Sequence, residues 1–140
     1  MNSVAKVLSA NDVSETGSHQ AGILIPKSNI SLMEFFPKLD VAQKNPRTLL
    51  EFEDKKTRRK IYLNYIYYNN KYFRNSNGAF GTRNEYRLTG LTAYFKGESA
   101  KEGDVIEFSR IGNKYFIEVV SGRVVPKNRI TLKGNWLAND

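Results

Sequence analysis

Apolar positions in this 140-residue chain recur mostly in short alternating runs, and helical spacing is sparse. Residues 3–9 alternate loosely and predict a strand. Residues 11–20 are rich in Ser, Thr, Asn, Asp and Gly and read as a loop. A short apolar run over 21–25, closed by Pro26, reads as a buried strand. Ser31 and Glu34 have the spacing of a capping box, which predicts a helix over about 28–36 ended by Pro37. After a polar stretch, Asn45-Pro46 signals a turn and residues 48–52 a strand. Asp54-Lys55-Lys56 makes the next turn. Residues 59–68 form the longest strand candidate. One of its faces carries Lys60, Tyr62, Asn64, Ile66 and Tyr68; the other carries Ile61, Leu63, Tyr65 and Tyr67.

Asn69-Asn70 breaks that strand, and residues 74–84 form a polar, Gly-containing loop. Strands are expected over 85–89 and, as a short piece, 92–95. Residues 104–109 and 114–120 flank Ile111-Gly112-Asn113 as a hairpin. Val124-Val125 and Ile130-Thr131-Leu132 are late strands. Seven or eight short strands with one or two helices make a mostly β chain, and such turn-punctuated strands suit a closed or nearly closed barrel. No repeat or long linker divides the sequence, so residues 1–140 read as one domain.

Charge changes this picture more than composition does. The net charge is +8, with 22 basic and 14 acidic residues. Nine of the basic residues lie between Lys55 and Arg87, where Glu85 is the one acid. Elsewhere thirteen basic and thirteen acidic residues balance. Such segregation points to a polyanionic partner, with plain solubility as the alternative. Without cysteine, disulfides and thiolate zinc sites are excluded. Apolar runs are far short of the roughly 20 residues that span a bilayer, and the N-terminus lacks a signal-peptide stretch. A soluble intracellular protein with no membrane partner is expected.

Catalytic chemistry finds no convincing owner. His19 is the single histidine, which makes a transition-metal site improbable and leaves any Ser-His-acid triad dependent on it. Glu51, Glu53, Asp54 and Lys55 supply the residue types of a Mg²⁺ nuclease. Yet Glu51 and Glu53 share a strand face while Asp54 opens a turn, so a solvated strand end is the better reading. No Gly-rich phosphate loop is present. No enzyme activity, no metal and no cofactor are expected of this chain.

Residues suited to nucleic acid are plentiful. Arg58, Arg59, Lys60, Lys71 and Arg74 interleave with tyrosines around Tyr68, a pattern for phosphate contact. Alternate aromatics such as Tyr65, Tyr67 and Phe73 read instead as core. Arg83, Asn84, Glu85 and Arg87 combine side chains that pair with guanine, adenine and cytosine edges. A surface salt-bridged strand is the competing reading. The loop with Ser9, Asn11, Asp12, Ser18, His19 and Gln20 concentrates short hydrogen-bonding groups, and alone it is an ordinary polar loop.

Leu8-Ser9-Ala10-Asn11-Asp12, Thr16-Gly17, His19-Gln20, Gly22 and Ile25-Pro26 together resemble the N-terminal effector-binding domain of the EcoRII restriction endonuclease. So do Ile66-Tyr67-Tyr68-Asn69, Phe80-Gly81, Thr82-Arg83-Asn84-Glu85 and Arg87, in the same order over about residues 6–120. The late hairpin also looks like the plant B3 fold. The resemblance implies a seven-stranded open β-barrel, a B3-like DNA-binding pseudobarrel with one or two short helices. It implies two arms that grip the major groove of double-stranded DNA at a short GC-rich site such as CCWGG. Base readout would fall to Ser9, Asn11, Asp12, Ser18, His19 and Gln20 on one arm and Arg83, Asn84, Glu85 and Arg87 on the other. Phosphates would meet Lys6, Arg58, Arg59, Lys60, Tyr68, Lys71 and Arg74. A monomeric recognition domain in a bacterial cytoplasm is expected, with Mg²⁺ needed only by a separate C-terminal nuclease domain. A complete small endonuclease with an unrecognised site and an RNA or single-strand binder stay open as alternatives.

Overall fold

The computed structural model describes residues 2–13, 22–69, 84–122 and 129–139. Among these, nine strands form one sheet: β1 Asn2–Val7, β2 Ile23–Ile25, β3 Arg47–Asp54, β4 Lys60–Tyr68, β5 Glu85–Thr89, β6 Val105–Ile111, β7 Lys114–Val120, β8 Arg129–Thr131 and β9 Trp136–Asn139. Two short helices, α1 Ile30–Phe35 and α2 Thr92–Gly97, complete the described elements. The strand order is β2-β5-β4-β3-β7-β6-β1-β9-β8. Its neighbours are antiparallel except β3 and β7, which run parallel over Phe52–Asp54. The sheet has two strands more than the seven expected, and the final β8–β9 hairpin extends it beyond β1.

The sheet curls into a half-barrel around one core. Inner positions follow the period of two: Leu50 and Phe52 on β3, Leu63 and Tyr65 on β4, Ile106 and Phe108 on β6, with Trp136 from β9. Phe36 stacks on Tyr65 with ring centres 4.8 Å apart, and Phe108 touches both Phe52 and Trp136. The Trp136 indole N–H donates to the Leu24 carbonyl at 3.0 Å, so a side chain joins β9 to the edge strand β2. A smaller apolar cluster of Ala5, Val105 and Leu137 covers the outer face of β1, β6 and β9.

Two local expectations are corrected. The α1 N-cap is Asn29, whose side chain accepts from the Leu32 N–H at 3.2 Å; Ser31 already lies inside the helix. Residues 92–95 belong to α2 rather than a strand, because Leu91 and Phe95 are spaced by one helical turn and both enter the core. The expected strand at Val124-Val125 lies outside the described residues.

Candidate nucleic-acid interface

Alternation places Arg47, Leu49, Glu51 and Glu53 of β3 on the outer face, with Lys60, Tyr62, Asn64, Ile66 and Tyr68 of β4. Leu24 of β2 and Glu85, Arg87 and Thr89 of β5 continue that face. Registered partners set Arg47, Ile66, Arg87 and Leu24 in one row across four strands, with Tyr68 beside Glu85 in the next. Glu85 and Arg87 thus share one side of β5, where Arg87 and its row neighbour Ile66 are buried, at 7% and 3% exposure.

The two polar segments join this face at opposite ends. The first returns to the sheet through Gly22 into Ile23, which pairs with Leu88 at the C-terminal end of β5. The second leaves β4 after Asn69 and returns through Asn84 into Glu85, at the N-terminal end of β5. Five residues of strand separate the roots, a span of roughly 15 Å. Gly22 is required at the first root: its φ is +70°, and a Cβ there would sit 2.1 Å from the Leu88 carbonyl oxygen. Asn84 is exposed and left-handed, with φ 52°. Asparagine tolerates that conformation better than most residues.

Each root is held by a buried cation. Lys6 points inward from β1 and pairs with Asp12, their side chains only 7% and 10% exposed. Asp12 also accepts from the Ser9 N–H at 2.9 Å, while the Ser9 hydroxyl oxygen accepts from the Asp12 N–H at 3.2 Å. These reciprocal bonds fix the turn that opens the first polar segment. At the second root the Arg87 Nε donates to Glu85 at 2.8 Å, with side chains 8% and 24% exposed. The same guanidinium reaches the Gly22 carbonyl at 3.4 Å and so ties one root to the other. Asn69 braces the outgoing strand. It exchanges 2.8 and 3.0 Å bonds with Asn45, and its amide donates to the carbonyls of Gln43 and Val41.

The sequence-nominated residues therefore separate into groups. Ser9, Asn11 and Asp12 sit at the first root; Tyr68, Asn84, Glu85 and Arg87 sit at the second. Lys6 is nearly enclosed rather than on the surface. Ser18, His19, Gln20, Lys71, Arg74 and Arg83 lie outside the described residues. Arg58, Arg59 and Lys60 gather at the far end of the nine-residue β4, roughly 27 Å from Tyr68. There Arg58 pairs with Glu53 at 3.2 Å and Lys60 with Glu51 at 3.5 Å, both cations largely in solvent.

The acidic group Glu51, Glu53 and Asp54 does not converge. The two glutamates face outward, while Asp54 is buried and caps the β3–β4 turn. Its carboxylate accepts from the N–H groups of Lys56 and Thr57 and from the Tyr94 hydroxyl at 2.7 Å. Burial pushes this carboxyl up, but the Thr57 N–H, the Tyr94 hydroxyl and Lys56 together hold it below its usual 3.8. Among the described residues no three potential ligands are placed to hold a metal ion. Nor is any described helix long and apolar enough to cross a membrane.

Sequence reading assigned no role to Arg47 or Lys27, and it quoted Gly22 and Asn69 only within the strand reading and the family resemblance. Lys27 lies just past β2 with its ammonium 6.0 Å from the Tyr67 ring centre. Gly22 alone carried a local signal, a glycine opening a short apolar strand. The others matter through register and long-range bonds that no local pattern displays.

A half-barrel sheet with a side chain closing its seam and two short helices is a B3-like pseudobarrel. The same fold occurs in Arabidopsis FUS3, solved as a DNA complex, at 20% identity and a TM-score of 0.59, covering 84% of this chain and 94% of that one. It also occurs in the UbaLAI restriction endonuclease B3 domain, solved with cognate DNA, at 22% identity and a TM-score of 0.53, covering 86% and 69%. No match is found among curated proteins. Residues 1–103 match the family described as restriction endonuclease EcoRII, N-terminal, and the chain belongs to that family.

Proposed function

We propose that this chain is a DNA-recognition domain of a restriction endonuclease, which reads double-stranded DNA through the major groove with two arms. The observation that carries the reading is the pair of roots at opposite ends of β5 with an outward face between them. Their separation of roughly 15 Å suits a major groove about 12 Å wide. Family membership supports the same reading.

In this proposal Asn11, Ser18, His19 and Gln20 read base edges from the first arm, and Arg83, Asn84 and Glu85 from the second. Glu85, its side chain 24% exposed and paired with Arg87, accepts from a cytosine amino group. Lys6, Ser9 and Asp12 serve by fixing the first arm. Tyr68, Lys71 and Arg74 meet phosphates next to the second arm; Arg58, Arg59 and Lys60 meet those of flanking duplex. The target in this proposal is a short GC-rich site, with CCWGG among the first to try. The domain acts as a monomer in the bacterial cytoplasm without a cofactor, and cleavage belongs to a separate Mg²⁺-dependent domain.

Selection of bound duplexes from a random pool tests this. Enrichment of one short motif, held at least about 10³-fold tighter than random duplex, is the expected result. An unenriched pool, or equal binding of single strands or RNA, would overturn it.

A further inference from the structure

Two chain segments outside the two polar loops bring cations to the foot of the second one. Arg47 opens β3 on the outer face, exposed, in the same row as Ile66 and Arg87. The loop before it is fastened to the second root by the Asn45–Asn69 bonds and by the Tyr67 N–H donating to the Pro46 carbonyl at 3.0 Å. Exposed Lys44 stands on that loop. Lys27, also exposed, follows β2 where Ile25 pairs with Tyr86, next to the returning strand. Among the described residues neither Arg47 nor Lys27 has a carboxylate within ion-pair distance. Arg58, Lys60, Lys56 and Lys114 all do.

We propose that Arg47 and Lys27 form a phosphate-gripping rim that holds the duplex backbone where the second arm enters the groove. This rests on the DNA reading above and adds a contact surface from elements outside the arms. The physical reason is competition. A cation already facing a carboxylate gives up that attraction when it meets phosphate, whereas one without such a partner gains the full counterion-release benefit. The loop that leads into Arg47 is fixed to the second root by backbone and amide bonds, which hold Arg47 beside it.

The test is a salt titration of the full chain on a fluorescent random-sequence 20-bp duplex, read by anisotropy. Each of Arg47→Ala and Lys27→Ala should reduce the slope of log K against log salt by about 1, and the double variant by about 2. Arg47→Lys should keep the slope. Lys114→Ala, at the opposite end of β3 and near Glu53, should leave it close to wild type. Preference for the selected motif over random duplex should survive in every variant. Wild-type slopes in Arg47→Ala and Lys27→Ala, with the parent still binding in a salt-sensitive way, would overturn the rim and leave the DNA reading standing. A parent with no salt-sensitive affinity would overturn both.

Discussion

Lys6 and Arg87 are themselves buried where each meets a carboxylate, whereas Arg58 and Lys60 keep their own charge in solvent, even though the Glu53 facing Arg58 is only 13% exposed. In sequence all four are cations a few residues from an acid. Burial makes them different devices. A buried pair gains little over an apolar core when intact, but losing one partner strands the other charge away from water. An exposed pair contributes almost nothing and can be broken cheaply. The arm roots are therefore built from charges that cannot be spared. The far end of β4 carries charges that can be lent to a passing phosphate.

The contrast is broken most directly at Lys6. Lys6→Ala should destabilise the chain by about 3–5 kcal/mol in urea unfolding, since Asp12 is left buried without its cation. Adding Asp12→Leu to Lys6→Met should recover most of that loss. If Lys6→Ala proves neutral, the first root is not held by this pair. Arg87→Ala comes next, at about 2–3 kcal/mol, because Glu85 retains some access to water. It should also weaken motif preference more than random-duplex binding, through a displaced Glu85 and a loosened Gly22.

Asp54 sharpens the comparison, as a buried carboxylate held mainly by neutral donors. Its folded value lies below its unfolded one, so its stabilisation is present above about pH 4 and is lost as pH falls through the folded value. Tyr94→Phe removes one of those donors, costs about 1.5 kcal/mol near neutrality and brings the acid loss to higher pH. Unfolding curves between about pH 2 and 6 would show it; parallel curves for the two proteins would count against this role of Tyr94. The smallest effect belongs to Lys60→Ala, which should change stability by less than about 1 kcal/mol and weaken cognate and random duplexes alike.

Much of the fold was legible because alternation is a local property. The two faces of β4, the β6–β7 hairpin and the short strand after Gly22 all stand where the apolar period puts them. The two polar segments were legible as interruptions of that period, though residues 14–21 and 70–83 lie outside the described residues. Closure through Trp136 was not, because its partner is a backbone carbonyl 112 residues away. Residues 92–95 misled because Thr, Tyr and Phe favour strands, while the Leu91–Phe95 spacing decided for a helix. At the candidate interface, residue types nominated the two polar segments but not the work of each side chain. Lys6 and Arg87 look like phosphate and base contacts in sequence, since charged residues are seldom buried. Only their pairing to Asp12 and Glu85 shows that they are held inside. Arg47 was overlooked because its neighbours Ile66 and Arg87 come from other strands.

The central claim is that duplex DNA sits on the outer face between the two roots. Amide shift mapping of the full chain, titrated with a selected duplex, addresses it most directly. The account expects the largest changes at Asn11, Leu24, Arg47, Tyr68 and Asn84, with little at Ile111, Gly112 and Asn113 on the β6–β7 turn. Changes centred on that turn, with the two roots silent, would contradict it.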